Sequence, residues 1–152
     1  MQPEPTHIIC AIRGGPESRA TVTRAIELTL ATGAHLTFFH IMDAEFLQHA
    51  TIGPLSVVYD ELKEMGTFTM LILCDRARRR GVADVDFIVR EGNIRKHLRQ
   101  LAIETRAQVL VMGSPTRSPP RNVFQFGEID QFAAQLADEG DVHVIVAPAE
   151  NA

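Results

Sequence analysis

The chain carries only two cysteines in 152 residues, Cys10 and Cys74, and both stand in apolar segments. That excludes a disulfide framework and points to buried, reduced thiols. No Cys-x-x-Cys pair occurs. None of the six histidines (His7, His35, His40, His49, His97 and His143) has a second at His-x-x-x-His spacing, so no metal site is expected. No apolar run approaches the ~18 residues of a membrane span. Basic charge is not in excess: 15 Lys and Arg face 19 Asp and Glu, a formal net charge of −4. Neither nucleic acid nor an anionic membrane is therefore expected as a partner. The opening MQPEPTH has neither the basic nor the apolar stretch of a secretory signal, and a cytoplasmic location is expected. No Gly-x-Ser-x-Gly elbow and no evident pair of acid–base carboxylates is present. No catalytic residue is assigned, and the chain is not expected to be an enzyme.

What the chain does have is alternation. His7–Ile12 (HIICAI) is a short apolar run that stops at Gly14-Gly15-Pro16, as a strand buried on both faces does. Val22, Ala25, Ile26, Thr29 and Leu30 then recur at helical spacing up to Gly33. Ala34–Met42 is a second strand and Asp43–Gly53 a loop. Leu55, Val58, Leu62, Met65, Thr69, Ile72 and Arg76 mark one face of a long helix running to Gly81, with Gly66 weakening its middle. Asp84–Arg90 alternates polar and apolar residues, the pattern of a half-exposed edge strand. Ile94, Leu98, Leu101 and Ala102 mark a third helix, Gln108–Met112 a fourth strand, Ile129, Phe132, Ala133 and Leu136 a fourth helix, and Asp141–Ala147 a fifth strand. Five strands separated by four full-length crossovers predict one domain over residues 1–152, an α/β doubly wound parallel sheet with helices on both faces.

Ligands of such sheets bind beyond the carboxyl ends of the strands. That directs attention to Arg13–Ser18, Asp43–Gly53 and Gly113–Gly127. The first, Arg-Gly-Gly-Pro-Glu-Ser, is neither a Walker loop nor G-x-G-x-x-G. It faintly resembles the Ser-Gly-Gly-x-Asp-Ser loop of N-type ATP pyrophosphatases, with Arg13 for the leading Ser and Glu17 for the Asp; a plain glycine turn entering a helix at Pro16 is the favoured account of it. The cluster Arg76, Arg78, Arg79 and Arg80 reads as a solvated last helical turn, where cations complement the helix dipole. The third loop is the best candidate. Gly113 ends a strand, Gly127 opens a helix, and free N–H groups at a helix start suit phosphate.

The segments Val89–Gly92, Ala107–Ser114 (AQVLVMGS) and Val142–Pro148 (VHVIVAP) make the sequence resemble the universal stress protein family over nearly its whole length. The resemblance implies strand order 3-2-1-4-5, usually a dimer, and a division into members that bind ATP and members that do not. Binders resemble Gly-x-x-Gly, nine residues, then Gly-Ser or Gly-Thr, with an Asp ending the first strand. Here Gly113 matches the first Gly. Thr116 replaces the second, ten residues from Arg117 to Phe126 precede Gly127, Glu128 replaces the Ser or Thr, and Arg13 stands in place of the Asp. A carboxylate where phosphate would sit repels it by ~1 kcal/mol even in water. Arg13 is expected to pair with Glu128, or with a nearby carboxylate such as Asp43, and fill the pocket internally. Arg117 and Arg121 remain within the loop as anion contacts or solvated charges.

The resemblance with these departures implies a cytoplasmic stress-response binding protein, non-enzymatic, with weak or no ATP binding and no cofactor, acting through protein partners or another ligand. A homodimer through the edge strand Val142–Ala147 is expected, because a bare valine-rich edge invites pairing. One alternative is an ATP- or AMP-binding module using the Gly113–Gly127 loop, with backbone near Ile41 and side chains such as Met112 holding the adenine. A second is a slow ATPase or a pyrophosphatase-like enzyme.

Overall fold

In the computed structural model, the described residues are 5–12, 19–42, 55–92, 94–113, 128–140 and 142–147. The elements are β1 (His7–Ala11), α1 (Arg19–Thr32), β2 (His35–Met42), α2 (Leu55–Arg79), β3 (Val85–Glu91), α3 (Ile94–Thr105), β4 (Val109–Gly113), α4 (Glu128–Gly140) and β5 (His143–Ala147). All strand pairs are parallel, in the order β3-β2-β1-β4-β5. The doubly wound sheet expected from the alternation, and the order implied by the family resemblance, are both present.

Burial on two faces explains the unbroken apolar strands. Successive side chains of β1 go to opposite sides. Ile8 and Cys10 join Val22, Ala25 and Ile26 of α1 and Met70, Cys74 and Ala77 of α2 in one core. Ile9 joins Leu98, Leu101 and Ala102 of α3 and Phe132 and Leu136 of α4 in the other. Both cysteines are free and buried, and burial pushes both thiols up, so neither is set up as a reactive thiolate. The sheet edge at β3 is half-exposed, as its alternation predicts.

One face was misjudged from the sequence. The stripe through Leu62, Met65 and Ile72 is not the buried side of α2; all three are exposed. The inner side is Gly66, Met70, Cys74 and Ala77. Two apolar stripes run along this helix, and the smaller residues face inward because α2 lies close over β2 and β3. The arginines at its end do more than meet solvent. Arg76 donates to Thr23 Oγ1 at 3.1 Å, Arg78 to the Val85 carbonyl at 3.4 Å, and Arg79 to Asp75 Oδ2 at 2.9 Å.

Candidate functional site

The sheet order reverses between β1 and β4. The chain leaves β1 for β2 on one side and returns to β4 on the other, so the carboxyl ends of β1 and β4 part there. The helices that follow these two strands, α1 and α4, begin at this opening, where unpaired N–H groups of their first turns collect. Just past β1, the Ile12 N–H donates to the Phe39 carbonyl at 3.0 Å, and the Ile12 carbonyl accepts from His40 Nδ1 at 3.1 Å. The His40 ring rests on Gly66 of α2: a Cβ there would lie 2.9 Å from His40 Cδ2. Gly66 weakens the middle of its helix because the imidazole takes the space. His40 had no role in the sequence reading; a glycine midway along a helix was the available signal for it.

Gly113 ends β4 and is exposed. A Cβ on it would stand 3.0 Å from Thr21 Oγ1, a tight contact that the Thr21 side chain would have to relieve by a few tenths of an ångström. Met112 and Ile41 are both buried, in the core beneath α3 and α4. The structure therefore brings these two side chains into one buried cluster. Glu128 is the first residue of α4, at the helix start where the motif comparison put it. Arg13, Thr116 and Gly127 lie outside the described residues, as do Asp43, Arg117 and Arg121. The expected pairing of Arg13 with Glu128 or Asp43 falls outside them as well.

The rim beside β3 holds a second feature, at the end of the Val89–Gly92 segment. Gly92 has φ of 129°, a conformation that only glycine adopts readily. Its N–H donates to the Met42 carbonyl at 3.0 Å. A Cβ on it would meet His97 Nε2 at 2.7 Å. His97 Nδ1 is buried without a hydrogen-bond partner among the described residues.

At the opposite, amino end of the sheet the polar groups are closed on one another. Thr37 Oγ1 donates to Asp86 Oδ1 at 2.6 Å, so its oxygen is left to accept from His7 Nε2 at 2.8 Å. His35 spans two carboxylates, Asp84 at 2.7 Å from Nδ1 and Asp86 at 3.1 Å from Nε2. The His7 and His35 rings meet edge to face at 4.9 Å. Burial, and then the His35 ring beside it, hold the His7 imidazole below its ordinary value, with Asp86 and Asp84 opposing the shift. The Gln108 side-chain carbonyl accepts from the N–H groups of Thr6 and His7, both at 3.0 Å, and its amide donates to Thr6 Oγ1 at 3.1 Å, which anchors the start of β1 to β4. Among the described residues, no group of three His, Cys, Asp or Glu side chains could hold a metal ion, and no helix is long and apolar enough to cross a membrane.

Comparison with known proteins agrees with this architecture. The family described as "Universal stress protein family" matches residues 5–148. No curated protein matches the chain. Among solved structures, the universal stress protein UspA from Lactobacillus plantarum is similar at 18% identity, with 93% of this chain and 97% of that chain covered and a TM-score of 0.71. A universal stress protein in complex with cAMP is similar at 18% identity, covering 97% and 99%, with a TM-score of 0.65. An Arabidopsis thaliana family protein with AMP bound is similar at 15% identity, covering 96% and 93%, with a TM-score of 0.58. The chain belongs to the universal stress protein family.

Proposed function

We propose that this universal stress protein family member is a non-enzymatic stress-response binding protein that holds ATP weakly or not at all and acts through a protein partner or another ligand. It works in the cytoplasm as a single domain over residues 1–152. The observation that carries the reading is the position of Glu128 as the first residue of α4. That helix start faces the opening between β1 and β4, and the binders' pattern puts a hydroxyl residue there. A carboxylate-bearing residue at a helix start is favoured by the dipole and disfavours a polyphosphate beside it. Thr116, Arg13 and the longer spacing to Gly127 support the same conclusion from the sequence. Gly113 matches the binders' first glycine but is also close to Thr21, so it does not distinguish the two readings. The partner of first resort is a second copy across β5, an edge strand whose Val146 is exposed.

A second reading keeps the pocket for a smaller nucleotide. Two structurally similar family proteins carry cAMP and AMP, ligands with a single phosphate, which meets less repulsion from Glu128 than ATP does. On this reading Ile41, Met112 and Gly113 flank the base and sugar, and Thr116 and Gly127 belong to the loop that closes on the phosphate.

Thermal denaturation with millimolar ATP-Mg²⁺, and separately with AMP and cAMP, tests both. A ligand at a hundred times its Kd stabilises by about 2.7 kcal/mol, several degrees for a domain of this size. The expected result is no shift with ATP and phosphate release equal to a protein-free blank. A clear ATP shift overturns the proposal, and a shift with AMP or cAMP alone favours the second reading.

A further inference from the structure

The outer face of α2 is apolar where solvent should favour charge. Met65 and Phe68 are each 65% exposed, and Ile72 is 51% exposed. They lie on one stripe with Glu61, Asp75 and Arg79, at spacings that alternate between four and three residues. That is the seam spacing of paired helices, and the exposed Leu62 and Leu71 flank it. The buried side of α2 is a different face, Gly66, Met70, Cys74 and Ala77, so the seam is not used within the chain's two cores.

Charge along the same helix is polarised. Asp60, Glu61 and Glu64 outnumber Lys63 before the apolar stretch, whereas Arg76, Arg78, Arg79 and Arg80 outnumber Asp75 after it. A helix with an acidic start, an apolar middle and a basic end is complementary to an antiparallel copy of itself. Setting Phe68 of one copy against Ile72 of the other brings Glu61 opposite Arg79, twice by two-fold symmetry. The contact of Arg79 with Asp75, one turn earlier on the same stripe, keeps the guanidinium along that face.

We infer that a second copy of this chain docks on α2, antiparallel and two-fold, through the Met65–Phe68–Ile72 seam. This surface is independent of pairing through β5. The helix α2 packs over β2 and β3, and β5 is the opposite edge of the sheet. Both contacts can form at once, and two different two-fold interfaces on one protomer build either a closed tetramer or an open chain.

Sedimentation equilibrium of the full chain over a range of concentrations tests this, with Phe68→Glu and Val146→Lys singly and together. The expected masses are more than two chains for the unmodified protein, two for each single variant and one for the double variant. Phe68 is solvent-exposed, so circular dichroism should show Phe68→Glu fully folded. If Val146→Lys changes nothing, pairing through β5 fails while the α2 inference still stands on Phe68→Glu. A mass unaffected by Phe68→Glu in both backgrounds overturns the α2 contact. Charge exchange supplies a second arm: Glu61→Arg alone should weaken the association by about tenfold, since two attractive pairs become repulsive. Adding Arg79→Glu should restore it. Failure of the exchanged pair to restore association overturns the antiparallel register.

Discussion

The two ends of this sheet are built from different materials. At the amino end, His7, His35, Thr37, Asp84 and Asp86 bond to one another across three strands, and Gln108 ties β1 to β4. At the carboxyl end the described residues include Gly92, Gly113, Thr21 and two imidazoles, of which His40 is committed to a main-chain carbonyl and His97 keeps a buried nitrogen without a partner. A polar network that satisfies itself holds strands in register and has little left to offer a ligand. An end where helices begin gathers main-chain N–H groups that have no partner within their own helix. The contrast fits the proposal that the amino end serves stability and the carboxyl end serves recognition.

That assignment can be broken by substitution. The largest effect is expected at Gly92 on the carboxyl rim, where alanine must adopt φ near 129° and meet the His97 ring. The cost should be about 2–3 kcal/mol, measured by urea denaturation. A loss this large at the recognition end would show that one rigid turn there is structural.

Thr37→Val is next. It keeps the shape of a fully buried side chain and removes the hydroxyl between His7 and Asp86, at about 1–3 kcal/mol. A neutral outcome would mean that the amino-end network adds no stability.

The same network sets a pH dependence. The folded state holds His7 below its unfolded value of 6.5, so above that pH both states carry a neutral ring and the contribution is complete. As pH falls below it, the unfolded chain takes up a proton that the folded protein resists, and stability declines. His7→Gln should flatten that slope in denaturation curves collected between neutral and mildly acidic pH.

The smallest effect is expected at Gly66, where alanine adds helix propensity of about 1 kcal/mol and loses it again by pressing on His40. Gly66→Ala should be nearly neutral or mildly destabilising alone, and stabilising once His40→Ala has opened the space. The same sign in both backgrounds would show that the two residues are not coupled.

Much of this architecture was legible before any coordinates. Apolar runs of strand length, helical spacing in the crossovers, and the stops at Gly33 and Gly81 locate the nine described elements to within a few residues. The edge character of β3 was plain from its alternation. The inner face of α2 was not, because two apolar stripes compete along it and periodicity cannot say which one the sheet will cover. Met65 and Ile72 are the larger residues, yet Gly66, Cys74 and Ala77 face inward. The candidate site was legible as a pattern of departures at Arg13, Thr116 and Glu128. The side chains that shape the described part of the opening, Thr21 and His40, carry no motif and were missed.

The sequence by itself determined the kind and order of the described elements, the stops at Gly33 and Gly81, and the departures from the phosphate-binding pattern at Arg13, Thr116 and Glu128. These depend on residues near one another in the chain, where spacing and residue type act directly on backbone conformation. Only the tertiary structure decided that His7, His35, Thr37 and Asp86 form one network, that Gly66 makes room for His40, and that the apolar stripe of α2 faces outward. Each of these joins residues far apart in the chain, and which of them meet follows from how the strands are ordered and how closely each helix lies on the sheet.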